Sequence, residues 1–270
     1  MLRENDYTIL GKTGLRVSRI GLSASYRPGK NAVRSAIDEG INYFFYFGID
    51  TQMVKTLREV MKTERERYVV STGAYNYIWR HQNIRRTLEK RLKQLRTDYI
   101  DVFLFLGVLK GKEFPEPLRE ELYRLRETGK VRAIGLSTHN RKFAGKLAAE
   151  GNVDVLMIRY NAAHRGAEQD IFPSIKEHNP GVVSYTAACW RYLLKRPKNW
   201  QKDGRIPTAG ECYRFVLSNP NVHVVLTAPT NEKQLKENIA AAQQGPLSEE
   251  DAAFMRQFGD AVHHTKKWFM

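Results

Sequence analysis

Three short stretches gather side chains able to do chemistry. "LSTHN" brings His139 and Asn140; "IRYNAAHRGAEQD" brings Arg159, Asn161, His164 and Arg165; "YTAACWRY" brings Tyr185, Cys189, Trp190 and Arg191. Imidazoles and phenols transfer protons, guanidinium groups bind anions, and indole and phenol rings stack on flat molecules. A fourth stretch, "GINYFFYFGID", carries a run of aromatics from Tyr43 to Phe47 and ends on an ionisable residue, Asp50. The candidates for acid–base work are His139, Asp50, Tyr46 and His164. Either histidine also has the chemistry of an axial haem ligand, although no haem-attachment motif accompanies them. Plainer roles compete: loop histidines are commonly hydrogen-bonded surface groups, and Arg159 suits a structural ion pair. Cys189 suits a small apolar filler, since no carboxylate–histidine partner is legible beside it.

Each of these stretches sits where an apolar run ends. Strands are expected at "IGLSAS", "NYFFYF", "YVVSTG", "IDVFLFL", "RAIGLST", "VDVLMI", "GVVSYT" and "VHVVLT", near-continuous apolar runs of the kind covered on both faces. Amphipathic segments follow them at 32–39, 50–62, 80–95, 115–129, 140–149, 168–178, 208–218 and 231–243. Alternation of this kind over eight units predicts an α/β (β/α)8 TIM barrel, whose sites gather at the carboxyl ends of the strands. Before the barrel, Tyr7 to Ile20 reads as a β-hairpin with Gly11 and Gly14 in its turn. After it, "LSEEDAAFMRQFGDAVHHT" reads as an extra C-terminal helix, with Ser248 as N-cap. The region 190–207 is the one long loop, placed over the barrel mouth. One domain spanning 1–270 accommodates all of this.

Composition narrows the partners. Lysine and arginine number 44 against 29 aspartates and glutamates, a net charge of +15. That balance favours anionic partners, yet the excess is scattered along helices such as "NIRRTLEKRLKQLR" and reads first as a solvated basic surface. No RNP-like or zinc-finger motif is present, so sequence-specific nucleic-acid binding is not expected. Cys189 and Cys212 are the only cysteines and have no metal-ligand spacing, so no disulfide scaffold or metal site is expected. With no apolar leader in "MLRENDYTIL" and no apolar run approaching about 18 residues, the expectation is a cytoplasmic protein without a membrane span.

Several phrases resemble the aldo-keto reductase superfamily across nearly the whole chain: "LGKTGLRVSRIGL", "GINYF", "LRTDYIDVFLF", "GKVRAIGLS", "IRYN" and "NEKQLKENIAA". The resemblance implies an oxidoreductase that reduces carbonyls with NADPH through an aspartate, tyrosine, lysine and histidine tetrad. Carried over residue by residue, those four roles fall on Phe45, Asp50, Gly73 and Leu106. Phe45, Gly73 and Leu106 cannot donate a proton or tune a donor, so the expectation is an atypical, tetrad-deficient member. Its site is rebuilt around Phe45, Tyr46 and Trp190 for an apolar or aromatic small molecule.

For the cofactor, the resemblance points to Ser137 and Thr138 at the nicotinamide amide and Tyr185 stacked on the ring. Met157 stands where the family has a glutamine. Towards the adenine end it points to Asn238 and, in place of a phosphate-gripping base, Gln234, with Ala228 and Lys233 nearby. Weakened NADP(H) binding is therefore expected. Two alternatives stand beside it: a redox enzyme using haem or another group, and a catalytically silent barrel acting as a binding or regulatory protein.

Overall fold

The computed structural model describes residues 1–48, 50–75 and 83–265. The chain opens with strands β1 (Tyr7–Ile9) and β2 (Arg16–Ser18), an antiparallel hairpin with Tyr7 opposite Ser18. Eight parallel strands follow: β3 (Ile20–Ser23), β4 (Tyr43–Phe45), β5 (Val69–Tyr75), β6 (Ile100–Val108), β7 (Val131–Thr138), β8 (Val155–Arg159), β9 (Gly181–Tyr185) and β10 (Val224–Thr227). They close into a barrel where β10 pairs with β3, Val225 opposite Ile20 and Thr227 opposite Leu22. The expected (β/α)8 barrel with its leading hairpin is thus the fold observed.

Around the barrel run α1 (Gly29–Asp38), α2 (Thr51–Glu64), α3 (Ile84–Leu95), α4 (Glu116–Glu127), α5 (Arg141–Ala149), α6 (Ala167–Asp170), α7 (Ala209–Leu217), α8 (Glu232–Ala242) and α9 (Glu249–Thr265). Several start on a side-chain cap: Asp50, Asn83, Asn140, Thr208 and Asn231 each accept a hydrogen bond from a backbone N–H in the first turn. The helix expected over 168–178 is interrupted: α6 stops at Asp170 and the chain continues as a 3-10 turn, Phe172–Ile175. Pro173 has no N–H to extend the α ladder. The expected helix start near residue 80 lies outside the described residues, and α3 begins at Ile84.

Strand alternation divides the core into two shells. Tyr43, Phe45, Val102, Leu104, Leu106, Ala133, Val155, Met157, Val183, Val224 and Leu226 fill the lumen, and hairpin residues Leu10, Leu15 and Val17 seal its amino-terminal end. The neighbouring strand residues, among them Phe44, Phe103, Phe105, Ile134, Leu136 and Leu156, face the helices. Between the shells, two buried carboxylates pin the starts of strands. Asp101 accepts hydrogen bonds from the Val70 N–H at 2.9 Å, Arg65 at 2.7 Å and Arg132 at 3.2 Å. Asp154 does the same for the Ile134 N–H at 3.0 Å and Arg126 at 2.8 Å. Each joins a backbone donor of one strand to a guanidinium outside, so register and helix placement are set together.

Because Asp101 is fully buried, Asp101→Ala strands two arginines and a strand N–H. The expected loss of stability is about 3–5 kcal/mol in urea unfolding; a loss under about 1 kcal/mol would show that solvent replaces the carboxylate.

Candidate active site

The carboxyl ends of the strands form a mouth in which neighbouring inward positions are level. Ser137 is opposite Met157, Arg159 is opposite Tyr185, and across the barrel Tyr75 is opposite Leu106. Two arcs of different character result.

One arc is aromatic. The Phe45 and Phe47 rings lie 6.3 Å apart, and Phe47 meets Tyr75 edge-on at 6.4 Å. Phe45 is buried, whereas Phe47 and Tyr75 are part-exposed at the rim. Tyr75 is a wall residue that the sequence did not single out. Only its inward register in β5, two places beyond Gly73, marks it. Phe45, Leu104, Leu106 and Met157 fill the lumen beneath. Gly73 has no room for a side chain, because a Cβ there would stand 2.0 Å from the Leu104 carbonyl oxygen and 3.1 Å from the Leu106 side chain.

The opposite arc is polar and cationic. The Tyr185 hydroxyl lies 3.3 Å from His139 Nε2, with the rings edge-to-face at 5.9 Å. Burial pushes the Tyr185 phenol up to about 12, against the pull of Arg159, while a contact with Ser137 also favours ionisation. His139 stays exposed on the rim, and its pKa is lowered by partial burial and by the Arg159 charge. At neutral pH the pair is therefore a protonated phenol against a neutral imidazole. Arg159 itself lies 5.8 Å from the Trp190 ring. That ring is presented by consecutive left-handed residues, Cys189, Trp190 and Arg191, at φ 48°, 50° and 72°. Non-glycine backbone of this kind is strained and persists where surroundings impose it, commonly at functional sites.

Other candidates are placed elsewhere. Tyr46, expected against the ligand, belongs to the helix-facing shell, fully buried with Arg91 5.7 Å from its ring. The reason is alternation: Phe45 faces the lumen, so its neighbour faces out. The loop after it is pinned there. Arg91 donates to the Phe47 carbonyl at 3.0 Å, and Gly48, at φ +100°, would bring a Cβ within 1.9 Å of that guanidinium. Asp50, expected as an acid, is buried and caps α2, accepting from the Met53 N–H at 2.6 Å. Thr138 is buried, and its hydroxyl accepts from the Asn140 N–H. Gln234 is exposed and accepts from Thr230, while buried Asn238 donates to Thr227 at 2.9 Å. Arg165 leaves the mouth to pair with Asp260 of α9 at 2.7 Å.

His164 is also withdrawn from the mouth, 5% exposed. Asn161 fixes its tautomer. The Asn161 amide nitrogen donates to the Thr186 carbonyl and its oxygen accepts from the Ala163 N–H, so that oxygen can only accept from His164 Nδ1, 3.1 Å away. Nε2 is left as a buried lone pair without a partner among the described residues. Cys189 Sγ stands 3.6 Å from Nδ1. This pairing, 25 residues apart in the chain, was not legible in sequence. Burial raises the thiol to about 11, so it is an inert filler and not a thiolate.

The family model described as "Aldo/keto reductase family" matches residues 23–189. The chain belongs to this family. Members generally use NAD(P)H and act on small molecules. Among relatives, an aldo-keto reductase of Bacillus subtilis, YhdN, is 26% identical over 68% of this chain and 62% of its own length. L-galactose dehydrogenase of Arabidopsis thaliana is 24% identical over 87% of each chain. Among solved structures, the holo form of the aldo-keto reductase AKR11C1 from Bacillus halodurans superposes with a TM-score of 0.78, covering 95% of this chain and 97% of its own at 20% identity. Among the described residues no helix is long and apolar enough to cross a membrane.

Two histidines, one buried and one half-buried, set an acid limit. Burial lowers His164 to about 3, helped by Arg159, and lowers His223, whose Nδ1 accepts from the Val182 N–H, to about 4. Unfolded, both titrate near 6.5. Their stabilisation is complete above that pH and is lost as pH falls towards about 4 and then about 3, because only the unfolded chain takes up the protons. Urea midpoints should therefore fall between about pH 7 and about pH 4.5, and less steeply in His164→Gln. Parallel pH profiles for both proteins would remove His164 from this role.

Proposed function

We propose that this protein, acting through the whole chain 1–270 as one unit, is an oxidoreductase of the aldo/keto reductase family with a rebuilt, tetrad-deficient site. Its acid–base work at a carbonyl lies with His139, positioned by Tyr185. The observation that carries the reading is the 3.3 Å contact between the Tyr185 hydroxyl and His139 on the rim, beside Ser137.

The four positions matched to the family tetrad support it by what they do instead. Phe45 and Leu106 are apolar filling of the lumen. Gly73 is packed too closely against Leu104 to carry even a methyl group. Asp50 is committed to the α2 cap. A lysine restored at 73 would require β5 and β6 to move apart.

The residues at the nicotinamide end fit a reduced NADP(H) better than those at the phosphate end. Ser137 is part-exposed on the inward face and Tyr185 stands next to it. Asn238 already gives an amide N–H to Thr227, and the Gln234 amide oxygen already accepts from Thr230. Ser137 would hold the nicotinamide amide and Tyr185 would flank the ring, which gives weakened overall affinity. When bound, this group supplies a hydride to a carbonyl carbon. The protein then has to deliver one proton to the carbonyl oxygen. His139 does so from the rim, where its exposed ring is recharged from solvent; the Tyr185 hydroxyl holds that ring in place. Phe45, Leu106 and Met157 keep water from the apolar side.

Because burial and Arg159 lower the His139 pKa, imidazolium becomes more abundant as pH falls below 6.5. The turnover number for NADPH-dependent reduction of an aromatic aldehyde should rise from about pH 8 to about pH 6. His139→Gln should lose about 10²–10⁴-fold and flatten the profile, and Tyr185→Phe should lower turnover with little change in aldehyde KM. A flat wild-type profile, or full activity in His139→Gln, would remove His139 from the reaction.

A further inference from the structure

We infer that the ligand of the mouth is an aromatic carboxylate, its ring against Phe45, Phe47 and Tyr75 and its carboxylate on Arg159. The inference rests on reading this mouth as the functional site.

The two arcs make different demands. Phe45, Phe47 and Tyr75 form a chain of tilted and edge-on rings at 6.3 and 6.4 Å, and Phe47 and Tyr75 keep part of their surface open. Burial holds the Tyr75 phenol up at about 12, so this wall is uncharged. A fourth flat ring extends such a chain favourably, whereas an aliphatic group of similar area gains only contact.

Facing it, Arg159 ends β8 one strand away from Tyr185 and lies near the Trp190 face. Its charge reaches across the arc: it lowers the pKa of His139 and His164 and draws Tyr185 and Cys189 towards ionisation. Arg159 is a cause common to all four shifts. Arg141 adds the same sign at His164, although it is paired with Asp170 at 2.8 Å. A guanidinium in a partly desolvated setting binds a planar carboxylate through two parallel hydrogen bonds, which neither a neutral ring nor a spherical anion reproduces. A molecule bearing both a ring and a carboxylate satisfies both arcs. If its carbonyl is adjacent to the carboxylate, as in an aryl 2-oxo acid, it also meets the requirement of the reaction proposed above.

Calorimetry with benzoylformate, its methyl ester and pyruvate tests this directly. Benzoylformate is expected to bind at least ~10-fold more tightly than either comparison compound. Arg159→Gln should remove the advantage over the ester, and Arg159→Lys should keep part of it, with thermal unfolding reporting that each variant is folded. Equal binding of acid and ester, absence of binding by the acid, or an unchanged preference in folded Arg159→Gln would each overturn the inference. Binding and turnover separate the two readings. An Arg159-dependent preference for the acid without any NADPH-dependent reduction keeps this inference and removes the reductase reading. Reduction of the ester and the acid with equal affinity removes this inference alone.

Discussion

Closure of the sheet, where β10 meets β3, is the constraint on which everything else depends. With Leu226 opposite Gly21 and Thr227 opposite Leu22, no strand can slip without turning its lumen residues outwards. Register therefore determines that Phe45 faces inward and Tyr46 outward, that Ser137 and Met157 share a level, and that Arg159 and Tyr185 share one at the rim. Asp101 and Asp154 hold that register at the other end, each tying a strand N–H to an arginine outside the barrel.

On this frame the turns that follow β4 and β9 are tightly held. Arg91 and Gly48 fix the turn after β4, so Phe47 returns to the rim while Asp50 starts α2. After β9, the left-handed run Cys189–Arg191 carries Trp190 to Arg159. Asn161 and His164 brace that run from below, through the Thr186 carbonyl and the Cys189 sulfur. Further along, Trp200 packs on Phe258 of α9 at 4.9 Å, which fastens the long loop to the barrel exterior. At the rim, His139 and Tyr185 are spent on each other as well, but His139 keeps its ring exposed.

The fold was legible because barrel strands are continuous apolar runs and the hairpin, caps and strand–helix alternation leave local marks. The site was legible only in part. Strand-end position correctly gathered His139, Arg159, Tyr185 and Trp190, since the carboxyl ends of barrel strands converge. It failed for Tyr46, whose orientation depends on a single step of register, and for Asp50 and Thr138, whose side chains answer to a nearby backbone N–H. No spacing in the sequence marks the bonds that Asn238 makes to Thr227 and Gln234 accepts from Thr230. The Cys189–His164 contact joins residues on different loops, and no spacing rule covers it.

The proposed reductase requires a mouth that receives a nicotinamide beside Ser137 and Tyr185, above a lumen filled by Phe45 and Leu106. The most direct test is calorimetric titration of the wild-type protein with NADPH. Saturable one-to-one binding with a dissociation constant below about 1 mM, weakened in Ser137→Ala and Tyr185→Ala, is the expected result. No heat of binding up to millimolar NADPH would contradict the account.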